Sequence, residues 1–353
     1  MAKIKLDEEL VKYAVYGGAI LGGGGGGWIE DGLQIGRLAT EIGEPELYTV
    51  DELKDKDLVV TVSLVGAPAA KDKFVKPIHY ARALEILTEK IAKPIQGIIT
   101  NENGAGTTVN GWFQSAVTGI PVIDIPCNGR AHPTGSMGSM NLSEQSDYVS
   151  HQAAAGGKGT NYLEMSISGS LDKASTMIRQ ASIEAGGLLA VARNPVTIGY
   201  AKQHGAAGAI QQAIEVGKAL LSYQGEAALD AVVTKLGGKV VAEGTVTDHT
   251  LETTGGFDVG TVTINDTYEM TFWNEYMTLE RNGERYGTFP DLIMTFDAKT
   301  AKPIVSAAIE KGQQIAVIAI PKENLILSST MRNEKLMKPV EDIIKKSILQ
   351  YSY

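Results

Sequence analysis

The chain has 353 residues, of which 43% are hydrophobic, and this is enough to build a globular core. Its formal net charge of −9, without a cluster of lysine and arginine, argues against a nucleic-acid partner. A single cysteine excludes an internal disulfide, and no run approaches the roughly 20 apolar residues of a membrane span. The first residues lack the basic-then-apolar pattern of a signal peptide, so we expect a cytoplasmic protein with no membrane association.

The first half of the chain alternates between predicted helices and predicted strands. Apolar spacing over residues 7–16, with Asp7 as the N-cap, predicts the first helix, and a second is expected from about Ile29 to Thr40. The alternation that follows indicates βαβ units, and therefore a parallel or mixed sheet with flanking helices. Its predicted strands lie at 58–65, 95–100 and 119–125, and its predicted helices at 78–92 and 109–118.

The second half changes to a pattern dominated by strands. It opens with a predicted strand at 163–169 and helices at 171–186 and 206–221. From about 238 to 321, alternating apolar residues punctuated by Asn-Gly and Gly-Gly pairs predict hairpins.

We therefore predict an α/β protein in two parts. An N-terminal α/β glycine-loop domain spans 1–165, and a C-terminal domain at 166–353 carries the β-rich module. Because exposed strand edges are usefully covered by a partner, we also expect a homo-oligomer.

Glycine is the compositional anomaly, at 40 of 353 residues, or about 11% against a usual 7%. Six glycines run from 22 to 27, after a predicted helix. A dinucleotide fingerprint drawn through them should follow a strand instead, and no Lys-Ser/Thr pair of a phosphate-binding loop follows, so a nucleotide-dependent enzyme is our third hypothesis. A bare backbone able to take positive φ can present N–H groups to an anion or a polar ring, although a flexible passage between helices is the alternative. We expect ligand contacts from Gly24, Gly25, Gly26 and Gly27.

Two polar loops, at 101–107 and 126–140, each follow a predicted strand. In open α/β sheets, ligands bind beyond the carboxyl ends of the strands, so we expect one small-molecule pocket formed by both loops and the glycine tract. An acid among several amides suits a neutral polar ring, although capped turns use the same residues. The candidates are Glu102, Asn103, Gly104 and Asn110 around the first loop, and Asp124, Asn128, Gly129 and Arg130 around the second.

Three of these side chains receive chemical roles. Glu102 and Asp124 are the catalytic candidates, and we favour Glu102 as the general base that activates water, because Asp124 can instead anchor its loop through backbone N–H groups. Arg130 is expected to clamp a substrate carboxylate. Cys127 is expected to be a small buried residue rather than an obligatory nucleophile.

No cofactor is assigned from the sequence. His132 and His151 are candidate ligands for a divalent metal, together with Asp124 or Glu102. No ligand spacing supports such a site, so a metal stays an open alternative.

Several motifs, in this order, resemble the S-methyl thiohydantoin desulfurase-like family, whose members often occur alongside hydantoinase/oxoprolinase subunits. The motifs are GGAILGGGGGG, NENG and PVIDIPCNGRAHP in the first half, and GFDVGTVTI, NEYM and PDLIMTFD in the second. The residues that fit the family pattern are Gly18, Ala19, Leu21, Gly22, Gly24 to Gly27, Glu102, Gly104, Asn110, Val122, Asp124, Gly129, Arg130 and Pro133.

The resemblance implies an enzyme that acts on a small cyclic amide or ureide, such as a thiohydantoin or hydantoin, by water attack at a ring carbon. The alternative is a non-catalytic ligand-binding or accessory subunit that partners a hydantoinase-type enzyme. The chain departs from the pattern at Pro126, Cys127 and His132, where an acid, a glycine and an aromatic residue are expected. These departures lie in the predicted site, so the exact substrate stays open.

Overall fold

The computed structural model describes residues 3–67 and 70–352. Their strands form two eight-stranded sheets, one mixed and one antiparallel, with helices packed against them. The predicted fold class is therefore confirmed: an α/β part with a mixed sheet precedes a β-rich part.

The first sheet has the strand order β1-β2-β5-β4-β3-β8-β6-β7. Strands β2, β5, β4 and β3 run parallel, whereas β8 and β6 continue the sheet in antiparallel pairing. The predicted third strand is only two residues long. The strands are β1 (Lys3–Lys5), β2 (Glu46–Tyr48), β3 (Leu58–Gly66), β4 (Gly97–Thr100), β5 (Val122–Ile123), β6 (Ser150–Gly156), β7 (Leu163–Gly169) and β8 (Leu188–Thr197).

Two strands of this sheet, β7 and β8, lie at or beyond the predicted boundary at 165. β8 pairs with the central strand β3 from Leu58 to Gly66, through eight residues of that strand and one register shift. The first sheet is therefore completed by chain that follows the N-terminal segment, and β8 adds its side chains to the same layer.

The second sheet has the order β13-β12-β11-β10-β9-β16-β14-β15, and every pairing in it is antiparallel. It coincides with the β-rich module expected at 238–321. The strands are β9 (Lys239–Thr254), β10 (Phe257–Ile264), β11 (Tyr268–Trp273), β12 (Glu275–Arg281), β13 (Glu284–Thr288), β14 (Leu292–Asp297), β15 (Pro303–Ile304) and β16 (Gln314–Ile320).

The predicted helices are present with shifted ends: the first two extend further than expected, whereas those expected at 109–118, 171–186 and 206–221 are shorter. Asp7 caps the first of them, since its Oδ1 accepts a hydrogen bond from Leu10 N at 2.9 Å. In the described residues, no helix is long and apolar enough to cross a membrane. The helices are α1 (Glu8–Leu21), α2 (Ile29–Ile42), α3 (Pro77–Ile91), α4 (Trp112–Thr118), α5 (Leu171–Glu184), α6 (Ile198–His204), α7 (Ala209–Leu221), α8 (Glu226–Leu236), α9 (Glu334–Ile344) and α10 (Leu349–Ser352).

Helix α1 connects the two sheets. Its Val11 and Ala14 belong to the core of the first part, whereas Ile20 and Leu21 pack with Leu292 of the second sheet. Gly17 of α1 touches the backbone of α7 so closely that a Cβ there would overlap it. This packing delivers the end of α1, and the glycine tract that follows it, to the junction of the two sheets.

Candidate functional site

One cavity lies at this junction, with about 750 Å³ of space counting the part open to solvent. The glycine tract, the loop after β4 and the loop after β5 all line it, as do β3, β8, α5 and the tip of the β11–β12 hairpin. The three segments that the sequence singled out are therefore brought together. The main polar side chains of its lining are Asp31, Lys73, Asn101, Glu102, Thr107, His132, Arg179, Arg193, Asn274 and Glu275.

The glycine tract forms a tight wall in which only Gly26 and Gly27 face the cavity. Both have positive φ, which glycine adopts without strain. The carbonyl of Gly26 accepts hydrogen bonds from Gly106 N (2.8 Å) and Thr107 N (3.2 Å), which ties the tract to the loop after β4. Gly24 and Gly25 lie outside the lining, against Tyr276 and Glu275.

Glu102 is a buried carboxylate that lines the cavity, with 6% of its surface exposed. Its Oε2 accepts a hydrogen bond from His132 N at 3.1 Å, which joins the two polar loops. Burial, the largest effect, raises the pKa of Glu102 to about 7, although the His132 N–H and the Arg193 charge act to lower it. A carboxylate balanced between its two protonation states at neutral pH can take a proton and return it.

The His132 ring also contacts Glu102, with 3.2 Å between Nε2 and Oε2. Burial and the Arg193 charge lower the pKa of His132 to about 3, so the imidazole is neutral and the contact is not an ion pair. His132 Nε2 also lies 3.5 Å from the carbonyl oxygen of Asn101. His132 Nδ1 is buried without a hydrogen-bond partner among the described residues. The ring therefore orients Glu102 and keeps one nitrogen available for a bound molecule or water.

Asp124 lies at the end of β5 but outside the cavity lining. Its Oδ1 accepts a hydrogen bond from Ile210 N at 2.7 Å, and its Oδ2 accepts one from Gln211 N at 3.3 Å. These donors belong to the first turn of α7, whose backbone N–H groups need acceptors. Asp124 therefore anchors α7, although burial raises its pKa to about 6.

The predicted amides hold the loops to each other rather than face the cavity. Asn103 Nδ2 donates to Ala209 O (2.7 Å) and Gly129 O (3.2 Å), and Asn110 Nδ2 donates to Asn101 Oδ1 at 3.4 Å. Asn128 Oδ1 accepts from Ser328 N at 3.1 Å. The candidates outside the cavity lining are Gly24, Gly25, Asn103, Gly104, Asn110, Asp124, Asn128, Gly129, Arg130 and His151.

Arg130 is fully buried beside the cavity, with its guanidinium 4.5 Å from the centre of the Phe289 ring. Its Nη1 donates to the carbonyl of Asp291 and to that of Pro290 (3.0 Å). Its Nη2 has no partner in the described part of the chain. The side chain thus joins the loop after β5 to the second sheet, and burial lowers its pKa to about 10.

Two arginines that were not predicted as site residues also line the cavity. Arg193 extends from β8 and is 3% exposed, and its Nε has no hydrogen-bond partner within residues 3–67 and 70–352. Arg179 of α5 donates to the carbonyls of Gly256 (2.8 Å) and Gly66 (3.2 Å). The signal for Arg193 was a cation inside an apolar run, LLAVARNPVT, whereas nothing in the helical pattern distinguishes Arg179.

Glu275 is a second buried carboxylate in the lining, 2% exposed. It belongs to the NEYM motif but was not predicted as a site residue. Asn274, in a left-handed conformation at φ 58°, turns the chain between β11 and β12 immediately before it. Its side-chain Oδ1 accepts a hydrogen bond from Asp258 N at 2.9 Å, which fixes the hairpin tip. The second sheet therefore contributes an acid to a site otherwise built by the first part.

Neither the thiol nor the histidines form a second chemical centre. Cys127 is buried 3.2 Å from Thr61 Oγ1, and burial raises its pKa to about 11, so it is a poor nucleophile. His151 lies on β6, outside the cavity, where Nδ1 contacts Ser168 Oγ at 2.8 Å. Among the residues described, no three His, Cys, Asp or Glu side chains are grouped to hold a metal ion.

Family models cover nearly all of this architecture. The model described as S-Me-THD-like, N-terminal domain, matches residues 9–165, and that described as S-Me-THD-like, C-terminal domain, matches 170–336. The chain belongs to the S-Me-THD-like family. The first match ends within β7 and the second begins just before α5, and the cavity of this family member takes residues from both of them.

A crystal structure of a protein from Chromobacterium violaceum has the same fold as this S-Me-THD-like chain. The two share 20% sequence identity and a TM-score of 0.74, and the likeness covers 96% of each chain. The comparison with curated proteins gives no match.

Proposed function

We propose that this S-Me-THD-like protein is an enzyme that acts on a small cyclic amide or ureide, such as a thiohydantoin or hydantoin, by water attack at a ring carbon. The observation that carries the proposal is the Glu102 carboxyl, buried in the cavity with a pKa near 7 and oriented by the neutral ring of His132. A base with that pKa is matched to proton transfer at neutral pH.

With an S-methyl thiohydantoin as the substrate, the ionised Glu102 takes one proton from water. The water oxygen then forms a bond to the ring carbon that bears sulfur. The C–S bond then breaks and the sulfur leaves with a proton as methanethiol, while the ring carbon becomes a carbonyl as the second proton of the water passes to the ring nitrogen of the former C=N bond. One water is consumed, no redox partner is needed, and the products are a hydantoin and the thiol.

The cations of the cavity support a substrate with negative charge. Arg193 presents a guanidinium whose Nε lacks a partner in the described structure, and Arg179 and Lys73 line the same space. A guanidinium binds a carboxylate through charge-assisted hydrogen bonds. We therefore transfer the carboxylate-binding role expected of Arg130 to Arg193, because Arg193 lines the cavity, whereas Arg130 lies outside the lining and its Nη1 donates to backbone carbonyls.

The proposal is tested by incubating the protein with S-methyl thiohydantoins, hydantoins and oxoproline, and by measuring released thiol and ring-opened products. In water enriched in heavy oxygen, the label should appear at the attacked ring carbon. Ligands that raise the melting temperature without any turnover would contradict the enzyme and support the binding module.

Arg193→Met tests the charge of the substrate. For a substrate with a carboxylate tail, we expect KM to rise roughly 10- to 100-fold with kcat little changed, since a hydrogen bond to a charged group contributes about 1.5–3 kcal/mol. Arg281→Met, at an exposed position of β12, is the control and should leave KM unchanged. An unchanged KM in Arg193→Met would remove Arg193 from substrate binding.

A further inference from the structure

Glu275 is the buried acid that the proposed reaction has not yet used. It lies at the tip of the β11–β12 hairpin, which the second sheet inserts into the cavity that Glu102 also lines. Its Oε2 has no hydrogen-bond partner among the described residues, although the side chain is almost completely buried. A buried carboxyl oxygen without a protein partner is costly unless it carries or meets a proton.

The groups around Glu275 come from three other segments. Burial raises its pKa well above the ordinary range, the Glu102 carboxylate of the loop after β4 raises it further, and Arg130 after β5 and Arg179 of α5 oppose the shift. Two carboxyls that share one cavity do not both ionise easily. Burial and the Glu102 charge therefore favour the protonated form of Glu275.

We propose that Glu275 is the proton donor of the reaction, acting from the second sheet while Glu102 acts as the base from the first; this rests on the proposed function. The two carboxyls then carry opposite roles in one cavity. A pair of acids whose environments separate their protonation states is suited to such a division.

The proton balance needs no further reactant. Glu102 gains one proton of the water as the C–O bond forms, and the other passes to the ring nitrogen as the carbonyl forms. Glu275 gives its proton to the sulfur as the C–S bond breaks, so the thiol leaves neutral and Glu275 is left ionised. Transfer of the water-derived proton from Glu102 to Glu275, directly or through water, restores both groups.

The glycine tract gives Glu275 its space. Gly25 has no positive φ, yet a Cβ at this position would overlap Glu275 Oε1. Gly23 also receives the hairpin, since its carbonyl accepts a hydrogen bond from Tyr276 N at 2.8 Å. The absence of a side chain at Gly25 is therefore a requirement for the position of this acid.

The decisive experiment varies the acidity of the leaving thiol. Wild type, Glu275→Gln and Glu102→Gln are assayed with an S-methyl thiohydantoin and with its S-trifluoroethyl analogue, whose thiol is more acidic. For the S-methyl substrate we expect Glu275→Gln to lose about 10²- to 10⁴-fold in kcat. For the analogue, most of that loss should disappear in Glu275→Gln but persist in Glu102→Gln, because an acidic thiol leaves without a proton donor.

Further variants separate proton donation from a structural role. Glu284→Gln, exposed on β13, should leave kcat and its leaving-group dependence unchanged. Glu275→Asp should keep the fall of kcat at alkaline pH that Glu275→Gln loses. Gly25→Ala should reproduce the leaving-group rescue of Glu275→Gln, whereas Gly169→Ala, which has open space around it, should not.

Failure of the donor and failure of the proposed function give different results. If wild type turns over and Glu275→Gln shows the wild-type dependence on the leaving group, the donor role is wrong and water activation stands. If wild type turns over no substrate, both are wrong. In substrate-free protein at pH 8, an infrared carboxylic-acid band that disappears in Glu275→Gln supports the donor, and the absence of that band in wild type overturns it.

Discussion

Glu102 and Asp124 follow two strands that lie side by side, since Ile98 of β4 pairs with Val122 of β5. Both are buried carboxyls, and burial raises the pKa of both. Glu102 nevertheless faces the cavity and contacts a neutral histidine, whereas Asp124 faces the first turn of α7 and accepts two of its N–H groups.

The difference shows that a strand end provides a place for an acid but does not decide its use. A carboxylate whose oxygens are occupied by a helix N-terminus contributes to the fold and has no direct access to a substrate. A carboxylate that borders a cavity exchanges protons with whatever enters it. Variants at these two positions should therefore separate catalysis from stability.

The largest expected effect is on turnover. Glu102→Gln should lower kcat by about 10²- to 10⁴-fold with little change in KM, because a general base acts on the barrier rather than on substrate binding. Asp124→Asn is the matched control and should retain kcat, since it lies outside the cavity. Steady-state kinetics on one confirmed substrate measures kcat and KM for both variants. Equal losses of kcat in the two variants would contradict a catalytic role for Glu102 and a structural one for Asp124.

The next effect is on pH dependence. The base must be ionised, so kcat/KM should fall about tenfold for each pH unit below the Glu102 pKa of about 7 and level off above it, until the proton donor Glu275 ionises at alkaline pH. Asp124→Asn should keep this acid limb, and the residual activity of Glu102→Gln should lack it. An acid limb that stays in Glu102→Gln would assign the ionisation to another group.

The Glu102→Gln substitution should raise the free energy of unfolding, although it lowers turnover. Its folded pKa of about 7 lies above the ordinary value of 4.5, so the folded state binds more protons and wild type loses stability as pH rises between these values. Glu102→Gln has no such loss and should exceed wild type at pH 8 by up to about 3 kcal/mol in free energy of unfolding, with the difference vanishing near pH 4. Urea unfolding at both pH values measures it, and a variant less stable at pH 8 would contradict the raised pKa.

The smallest effect concerns the helix cap. Asp124→Ala removes both acceptors of the α7 N-terminus and should lower the free energy of unfolding by about 1–2 kcal/mol without a change in kcat. Asp124→Asn keeps one side-chain oxygen and should cost less. If Asp124→Ala unfolds at the same urea concentration as wild type, the capping role is wrong.

Much of the fold follows from local sequence. Period-3.6 spacing located α1 with its Asp7 cap, and apolar runs located β3 and β4, because each of these elements is specified by its own residues. The alanine-rich β6 and the arginine-bearing β8 were not predicted as strands. Alanine does not favour strands, and the pairing of both segments depends on neighbouring strands.

The candidate site also has features that follow from local sequence and features that only the tertiary structure decides. The sequence by itself determined that Glu102 follows a strand, that six glycines precede a helix, and that a second polar loop follows the next predicted strand, because residues close along the chain fix these relations. Only the tertiary structure decided that Arg193 and Glu275 join Glu102, while Arg130 and Asp124 bond to backbone groups beside the cavity. A polar side-chain atom is available to a ligand only where no backbone group already forms a hydrogen bond with it. Those backbone groups belong to segments far apart in sequence.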